Sequence, residues 1–331
     1  MIIACCLIGC GFEPDSALPD VDAVDAREDG AASCNPYSKR KKVPEVLVGP
    51  DDFEPALLDL INGAETSLDV LMYQLSRPSF VSAFVAAAKR GVAVRILLDP
   101  DEGATATTKS KLTAAGAEVA EAPSSFAHAH AKVIVVDGAL AAILSGNMNY
   151  HTMVSERNYA VLDSAQDDVA DVRHVFEHDW SGAPLDLDCT RLVVAPDNAR
   201  ARMLAHVQGA DERLDMAVMY LSDVSVRAAV KARAAAGVAV RVLLANPAWM
   251  PSNANVADDL VAAGAEARFF TDYDLHAKLV IADASAFVGS ENMSYTSLKN
   301  NREVGLFINE PAPFAKIDDQ FEADWAAGEL P

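Results

Sequence analysis

Positive charge is scarce in this sequence. Lysine and arginine total 27 against 48 aspartates and glutamates, a formal net charge of -21. Proteins that grip nucleic acid through a broad basic face draw most of their affinity from phosphate contacts, so this balance argues against that class. It leaves room for a small basic pocket inside an acidic shell. The one strong basic run is KRKK at 39–42, which either meets anionic lipid head groups or nucleic acid or simply ends a linker. Long apolar runs are also missing: the N-terminal MIIACCLIGC is far too short to span a bilayer. Large apolar residues nearly vanish from FEPDSALPDVDAVDAREDGAAS, which therefore cannot bury enough surface to fold and reads as a tether. What remains is ample: 331 residues, 51% of them hydrophobic, enough for one large domain or two ordinary ones.

The N-terminal run resembles a bacterial lipoprotein signal with the lipobox Leu7-Ile8-Gly9-Cys10. The resemblance implies cleavage before Cys10, lipidation of Cys10, export, and anchoring to a bacterial membrane. Residues 1–10 are then the signal and 11–42 a disordered acidic linker. No Lys or Arg precedes the apolar run, and the run is short for such a signal, so a frayed hydrophobic tail is the alternative. Of the five cysteines, Cys5 and Cys6 would leave with the signal. Cys34 and Cys189 remain, one just before each half of the chain described next. An oxidising compartment allows them to pair; the alternative is two free buried thiols.

The chain contains itself twice. GAETSLDVLMYQLS (63–76) aligns with GADERLDMAVMYLS (209–222), and KRGVAVRILL (89–98) with AAGVAVRVLL (235–244), each 146 residues apart. That spacing is far too long for a solenoid repeat and indicates two copies of one domain, 43–185 and 186–331. Each copy runs short strand, helix, strand ending in a polar loop, Ala-rich helix closed by Gly, β-branched strand, second helix, and then further strands. Strands alternating with helices predict α/β halves with mixed sheets flanked by helices, packed about a pseudo-dyad, in a chain expected to be monomeric.

The most informative string is HAHAKVIVVDG at 128–138, repeated as HAKLVIAD at 276–283. On a strand, side chains alternate, so His130 and Lys132 share one face, and His276 and Lys278 do the same in the second copy. The apolar run that follows makes the strand central. Asp137 and Asp283 fall on the other face and are expected to satisfy nearby donors as motif support. A polar turn follows each motif, LSGNMNY and GSENMSY, in which Ser145 matches Ser290 and Asn147 matches Asn292. Hydroxyl, amide and backbone N–H groups in such a turn donate to anionic oxygens, so these four are candidate phosphate ligands.

Two H-x-K-x4-D strings, each followed by a Ser-x-Asn turn at equal positions in a duplicated α/β chain, resemble the phospholipase D superfamily across nearly the whole folded region. Leu144 departs from the pattern, standing where the family usually has Gly. The resemblance implies that both motifs meet at the dyad in one site. One imidazole attacks phosphorus to give a phosphohistidine, and the other protonates the leaving oxygen and then activates water or an alcohol. Lys132, Lys278 and the turns offset the developing charge, so neither metal nor cofactor is implied. Members of the family place an acid some eleven residues past the turn Asn. Here Glu303 holds that place in copy two and Asn158 in copy one, with Glu156 nearby. The resemblance suggests that these partners cross between halves, making His130 the nucleophile oriented by Glu303 and His276 the acid.

Other readings stay open at this point. His128 and His130 share a strand face and are a possible metal pair. Tyr73 and Tyr220 line the pocket or pack the core. Trp249 and Met250, in NPAWMPSN, are candidates for touching lipid or a base if exposed. The first functional expectation is an exported phosphodiesterase that cleaves or transfers phospholipid head groups at a membrane. A nuclease of the same superfamily is the alternative, and a degenerate binding protein the third.

Overall fold

The computed structural model describes residues 35–331. Cys10, Cys34 and most of the acidic linker lie outside the described residues. The first half comprises β1 (Glu45–Gly49), α1 (Phe53–Gly63), β2 (Ser67–Met72), α2 (Pro78–Lys89), β3 (Ala93–Leu98), α3 (Ala106–Ala114), β4 (Glu118–Glu121), β5 (Lys132–Val136), β6 (Leu140–Leu144), α4 (Tyr150–Val154), β7 (Glu156–Asp163) and α5 (Gln166–Ser181). The second comprises β8 (Leu192–Ala195), α6 (Ala199–Gln208), β9 (Arg213–Val218), α7 (Val224–Ala235), β10 (Ala239–Ala245), α8 (Ser252–Ala262), β11 (Glu266–Phe270), β12 (Asp274–Leu275), β13 (Lys278–Ala282), β14 (Ser285–Gly289), α9 (Tyr295–Lys299), β15 (Glu303–Ile308) and α10 (Pro311–Ala327).

The two sheets have one topology. The first is ordered β1-β7-β6-β5-β2-β3-β4 and the second β8-β15-β14-β13-β9-β10-β11. Along both orders the three strands at one end run parallel and the others pair antiparallel, while β12 joins the first sheet off this path, beside β7. The motif strands β5 and β13 are interior and buried along their whole length, as a near-continuous apolar run requires.

Alternation then sorts the side chains into three cores. Ile134 and Val136 face outward to pack with Phe53, Phe80 and Phe84 of α1 and α2. Val280 and Phe287 pack outward with Met203 and Val230 of α6 and α7. The inward set, Val133, Val135, Leu279 and Ile281 among them, merges into one core shared by both halves. Helices α5 and α10 contribute Val172, Phe176, Phe321 and Trp325 to that shared core. The expected layout ended each half at its last strand and did not include these two helices.

Salt links stitch the halves. Arg157 on β7 reaches Asp324 on α10 at 2.9 Å and the Gly49 carbonyl at 2.6 Å. Its counterpart Arg302 reaches Asp179 on α5 at 2.9 Å and the Ala195 carbonyl at 2.8 Å. Arg40, within the basic run, is buried among Asp163, Asp168 and Glu310, each bridged within 3.4 Å. Of the two readings of the run, Arg40 takes the second, tying the end of the linker to both halves, while its lysine neighbours are exposed. Cys189 is disulfide-bonded; Cys34, its expected partner, lies outside the described residues. No helix among the described residues is long and apolar enough to cross a membrane.

Candidate active site

The site is assembled by backbone pairing between the halves. β12 adds to β7 in parallel, matching Asp274 to Glu156 and Leu275 to Arg157, and the His276 N–H donates to the Arg157 carbonyl at 3.2 Å. In the reciprocal place Ala129 bridges Arg302, whose N–H donates to the His128 carbonyl at 2.9 Å. The segment leading into each motif histidine is therefore laid on the strand of the other half that carries the orienting residue. β5 begins at Lys132, so His130 stands just ahead of the strand and not within it. Asp99 fixes this lead-in by accepting from the Ala129 N–H at 2.8 Å.

His130 Nδ1 donates to Glu303 Oε2 at 2.8 Å. A carboxylate has no proton to give, so the Nδ1–H tautomer is fixed and Nε2 carries the lone pair. His276 Nδ1 lies 3.0 Å from Asn158 Oδ1. The Asn158 amide nitrogen donates to Glu156 Oε2 at 3.1 Å, and its oxygen also accepts from Ser145 Oγ at 2.8 Å. Both contacts set the oxygen toward His276 Nδ1, and the Lys278 ammonium stands 3.1 Å and 3.2 Å from the two nitrogens of that ring. Glu156 stands 3.6 Å from His276 Nδ1, in second place behind the amide.

The halves hold the same parts in exchanged positions. Glu156 and Asn158 in one answer to Asn301 and Glu303 in the other. In each, the turn Asn backbone N–H donates to a hydroxyl, Thr152 or Ser297, and that hydroxyl donates to the carboxylate: Thr152 to Glu156 at 2.8 Å, Ser297 to Glu303 at 2.6 Å. The exchange gives His130 a charged partner and His276 a neutral one.

Electrostatics follow the geometry. Burial pushes His130 down to about 4, with Glu303 opposing and Lys132 reinforcing the fall. Burial, Lys278, Lys132 and His130 together push His276 well below the ordinary histidine value. Burial alone would raise Glu303; His130, Lys132 and Ser290 outweigh it and keep the carboxylate ionised. Lys132 and Lys278 are buried, and each ammonium turns back onto the carbonyl of the histidine two residues earlier. The Tyr73 ring lies 4.6 Å from the His130 ring and 5.1 Å from the Lys132 ammonium, so Tyr73 walls the site.

The turn residues divide. Ser145 Oγ is spent on Asn158 and the Tyr159 N–H, and Ser290 Oγ accepts from the Val304 N–H at 3.1 Å. Both hydroxyls thus also brace the strands bearing Asn158 and Glu303. Asn147 and Asn292 keep amide oxygens without a partner among the described residues. Asp137 and Asp283 sit at left-handed backbone, φ 53 and 50. Each carboxylate gathers three backbone N–H groups, of residues 65–67 and 211–213 respectively. Trp249 is half-buried against the shared core and Met250 is buried, so the expected exposed pair in that loop is absent. His128 packs edge-on to Tyr73. Among the described residues, no three His, Cys, Asp or Glu side chains group as metal ligands. Asn301, Thr152, Ser297 and the two interface arginines carry no motif of their own in the sequence; only position-by-position comparison of the halves would have raised them.

Two α/β halves of one topology meet at a pair of His/Lys motifs and define a duplicated fold. The chain belongs to the phospholipase D-like family: the family described as "Cardiolipin synthase, PLD-like domain" matches residues 57–180 and 203–325. It is 34% identical over 113 residues to a cardiolipin synthase of Listeria welshimeri, and 31% identical over 110 residues to one of Oceanobacillus iheyensis. Each match covers 32% of this chain and 23% of the relative. The fold is similar to phosphatidylserine synthase of Haemophilus influenzae, with TM-score 0.70, 12% identity and 88% of each chain covered. It is also similar to polyphosphate kinase of Porphyromonas gingivalis, with TM-score 0.70, 17% identity, and 88% of this chain and 50% of that one covered.

Proposed function

We propose that the protein is a phosphodiesterase of phospholipase D type that cleaves or transfers phospholipid head groups through a phosphohistidine. The observation that carries this reading is the unequal pairing of the two histidines: Glu303 on His130 and the Asn158 amide on His276. His130 Nε2 attacks phosphorus; the P–N bond forms, the P–O bond to the head group breaks, and the leaving oxygen takes a proton from His276. His276, now neutral, removes a proton from water or an acceptor alcohol, whose oxygen displaces His130. Glu303 stabilises the positive charge that builds on the phosphorylated ring. Lys132, Lys278 and the amides of Asn147 and Asn292 hold the non-bridging oxygens.

His276 must carry a proton to act as acid, yet it is neutral in the empty site. Burial depresses it most, and the two lysine charges deepen the fall. An arriving phosphodiester anion offsets those charges and restores the affinity of His276 for a proton, so the substrate arms its own acid. The choice of phospholipid rests on the acidic surface and on the lipid synthases among the relatives. The reading includes export and a lipid anchor at Cys10.

The test is turnover on phosphatidylcholine and phosphatidylglycerol vesicles beside single-stranded DNA, with EDTA present and His130→Ala as control. Release or exchange of head group, lost in the variant, is the expected result. DNA cleavage without lipid turnover would replace this reading with that of a nuclease.

A further inference from the structure

Glu291, the middle residue of the second turn, has no place in the mechanism above. Its side chain is fully buried, and neither carboxylate oxygen has a hydrogen-bond partner of good geometry among the described residues. The slot it fills is built for it. A Cβ at Gly289 would collide with Glu291 Oε2, and one at Gly305 would come within 2.8 Å of it. The first half makes the opposite choice at every matching position. Leu144 and Ala160 replace the two glycines, Gly146 replaces the acid, and Thr152 replaces Ser297. A Cβ at Gly146 would strike the Thr152 methyl and lie 2.8 Å from Asn158 Cγ, so that half has no room for an acid. Four coordinated differences thus separate a turn that admits a buried carboxyl from one that refuses it. The half that admits it is the one that supplies Glu303.

We propose that Glu291 is a positioning residue that stands behind Glu303 as a protonated acid, holds the surroundings of His130 at a single negative charge, and closes the working range of the site on the alkaline side when its proton is lost. The charged groups around it are few. Burial, reinforced by repulsion from Glu303 on β15, pushes its carboxyl well above the ordinary glutamate range, against the opposing pull of the nearby backbone N–H groups of Glu291 and Ser290 and of the Lys132 ammonium on β5. His130 is bonded to Glu303, and Lys278 lies beyond His130. β14 contributes only Phe287 and glycine, and α9 the uncharged Ser297. A second carboxylate here would oppose an anionic diester and would weaken the leaving tendency of His130 from phosphorus by stabilising its imidazolium further.

The role rests on the phosphodiester reading only for its rate measurement; the protonation state is read without substrate. Infrared difference spectra of the full chain against Glu291→Gln should show a protonated-carboxyl band at neutral pH that is missing in the variant and fades as pH rises. Rates on bis(4-nitrophenyl) phosphate, each normalised to the same protein's neutral-pH rate, should fall later in Glu291→Gln and in Glu291→Met. One pH unit above the wild-type limit the normalised rates should differ about tenfold. What decline remains in the variants belongs to Lys132 and Lys278. Absence of the band, or superimposable profiles for wild type and both variants, overturns the proposal. Failure to cleave the diester at all would count against the phosphodiester reading and leave the infrared result to decide on Glu291.

Discussion

Glu303 belongs to the second half of the chain and His130 to the first, yet the carboxylate and the imidazole are 2.8 Å apart. A parallel bridge between Ala129 and Arg302 brings them together, and its counterpart, β12 on β7, brings Asn158 to His276. Neither half can complete a histidine and its orienting partner alone, which is a physical reason for both copies to persist in one chain.

His276 has an amide where His130 has a carboxylate that opposes the effect of burial, and Asn158→Asp should supply that opposition. A carboxylate at 3 Å raises an imidazole by about one to three units. Nitrogen-15 titration of His276 should show the upward shift, and an unmoved titration would mean that burial and the lysines set the value without help from the amide.

Anion binding should take up a proton. His276 is neutral in the empty site because burial, Lys278 and Lys132 hold it down. Vanadate neutralises part of the lysine charge. Calorimetry in buffers of different ionisation enthalpy should find about one proton absorbed per anion near neutral pH. Binding without uptake would require another proton donor.

Arg302 should matter to the whole molecule. It is 1% exposed and bridges Asp179 and the Ala195 carbonyl. Arg302→Ala strands a buried carboxylate at the junction and should cost about 3–5 kcal/mol in denaturant unfolding. A loss under 1 kcal/mol would show that solvent reaches the pair.

Asp137 should act on stability alone. Burial would raise its carboxyl, but the backbone N–H groups of Ser67, Thr66 and Glu65 and the Thr66 hydroxyl outweigh that and hold it at about 2. A depressed acid stabilises above its ordinary value, and that contribution disappears as pH falls toward 2. Asp137→Asn should therefore cost about 1 kcal/mol at neutral pH, discounted for solvent exposure. The gap should close in acid, with His130 chemistry untouched. A change in His130 titration would place Asp137 in the site.

Much of this architecture could be read from the residues. β-branched runs marked the interior strands, and the two H-x-K-x4-D strings located the site at both ends of the repeat. Three things could not be read. The helices α5 and α10 were hidden because charged residues crowd the apolar stripe of Val169, Val172, Val175 and Phe176 in the one, and prolines and acids interrupt the pattern in the other. The sequence did not show that the serine hydroxyls of the turns also bond the adjoining strands β7 and β15. The exchange of Glu156 and Asn158 with Asn301 and Glu303 conserves composition while moving the charge by two residues, which is invisible until one sees which atom reaches each imidazole.

If the two histidines are unequal in the way their partners indicate, His130 is the one that bonds to phosphorus. The direct measurement is rapid quench of the protein with a phospholipid carrying labelled phosphorus, under alkaline conditions that preserve phosphohistidine, followed by peptide mapping. Label on the peptide containing His130, absent in Glu303→Gln, is the predicted result. Label on His276 would contradict the assignment and make the Asn158 amide, not the Glu303 carboxylate, the partner of the nucleophile.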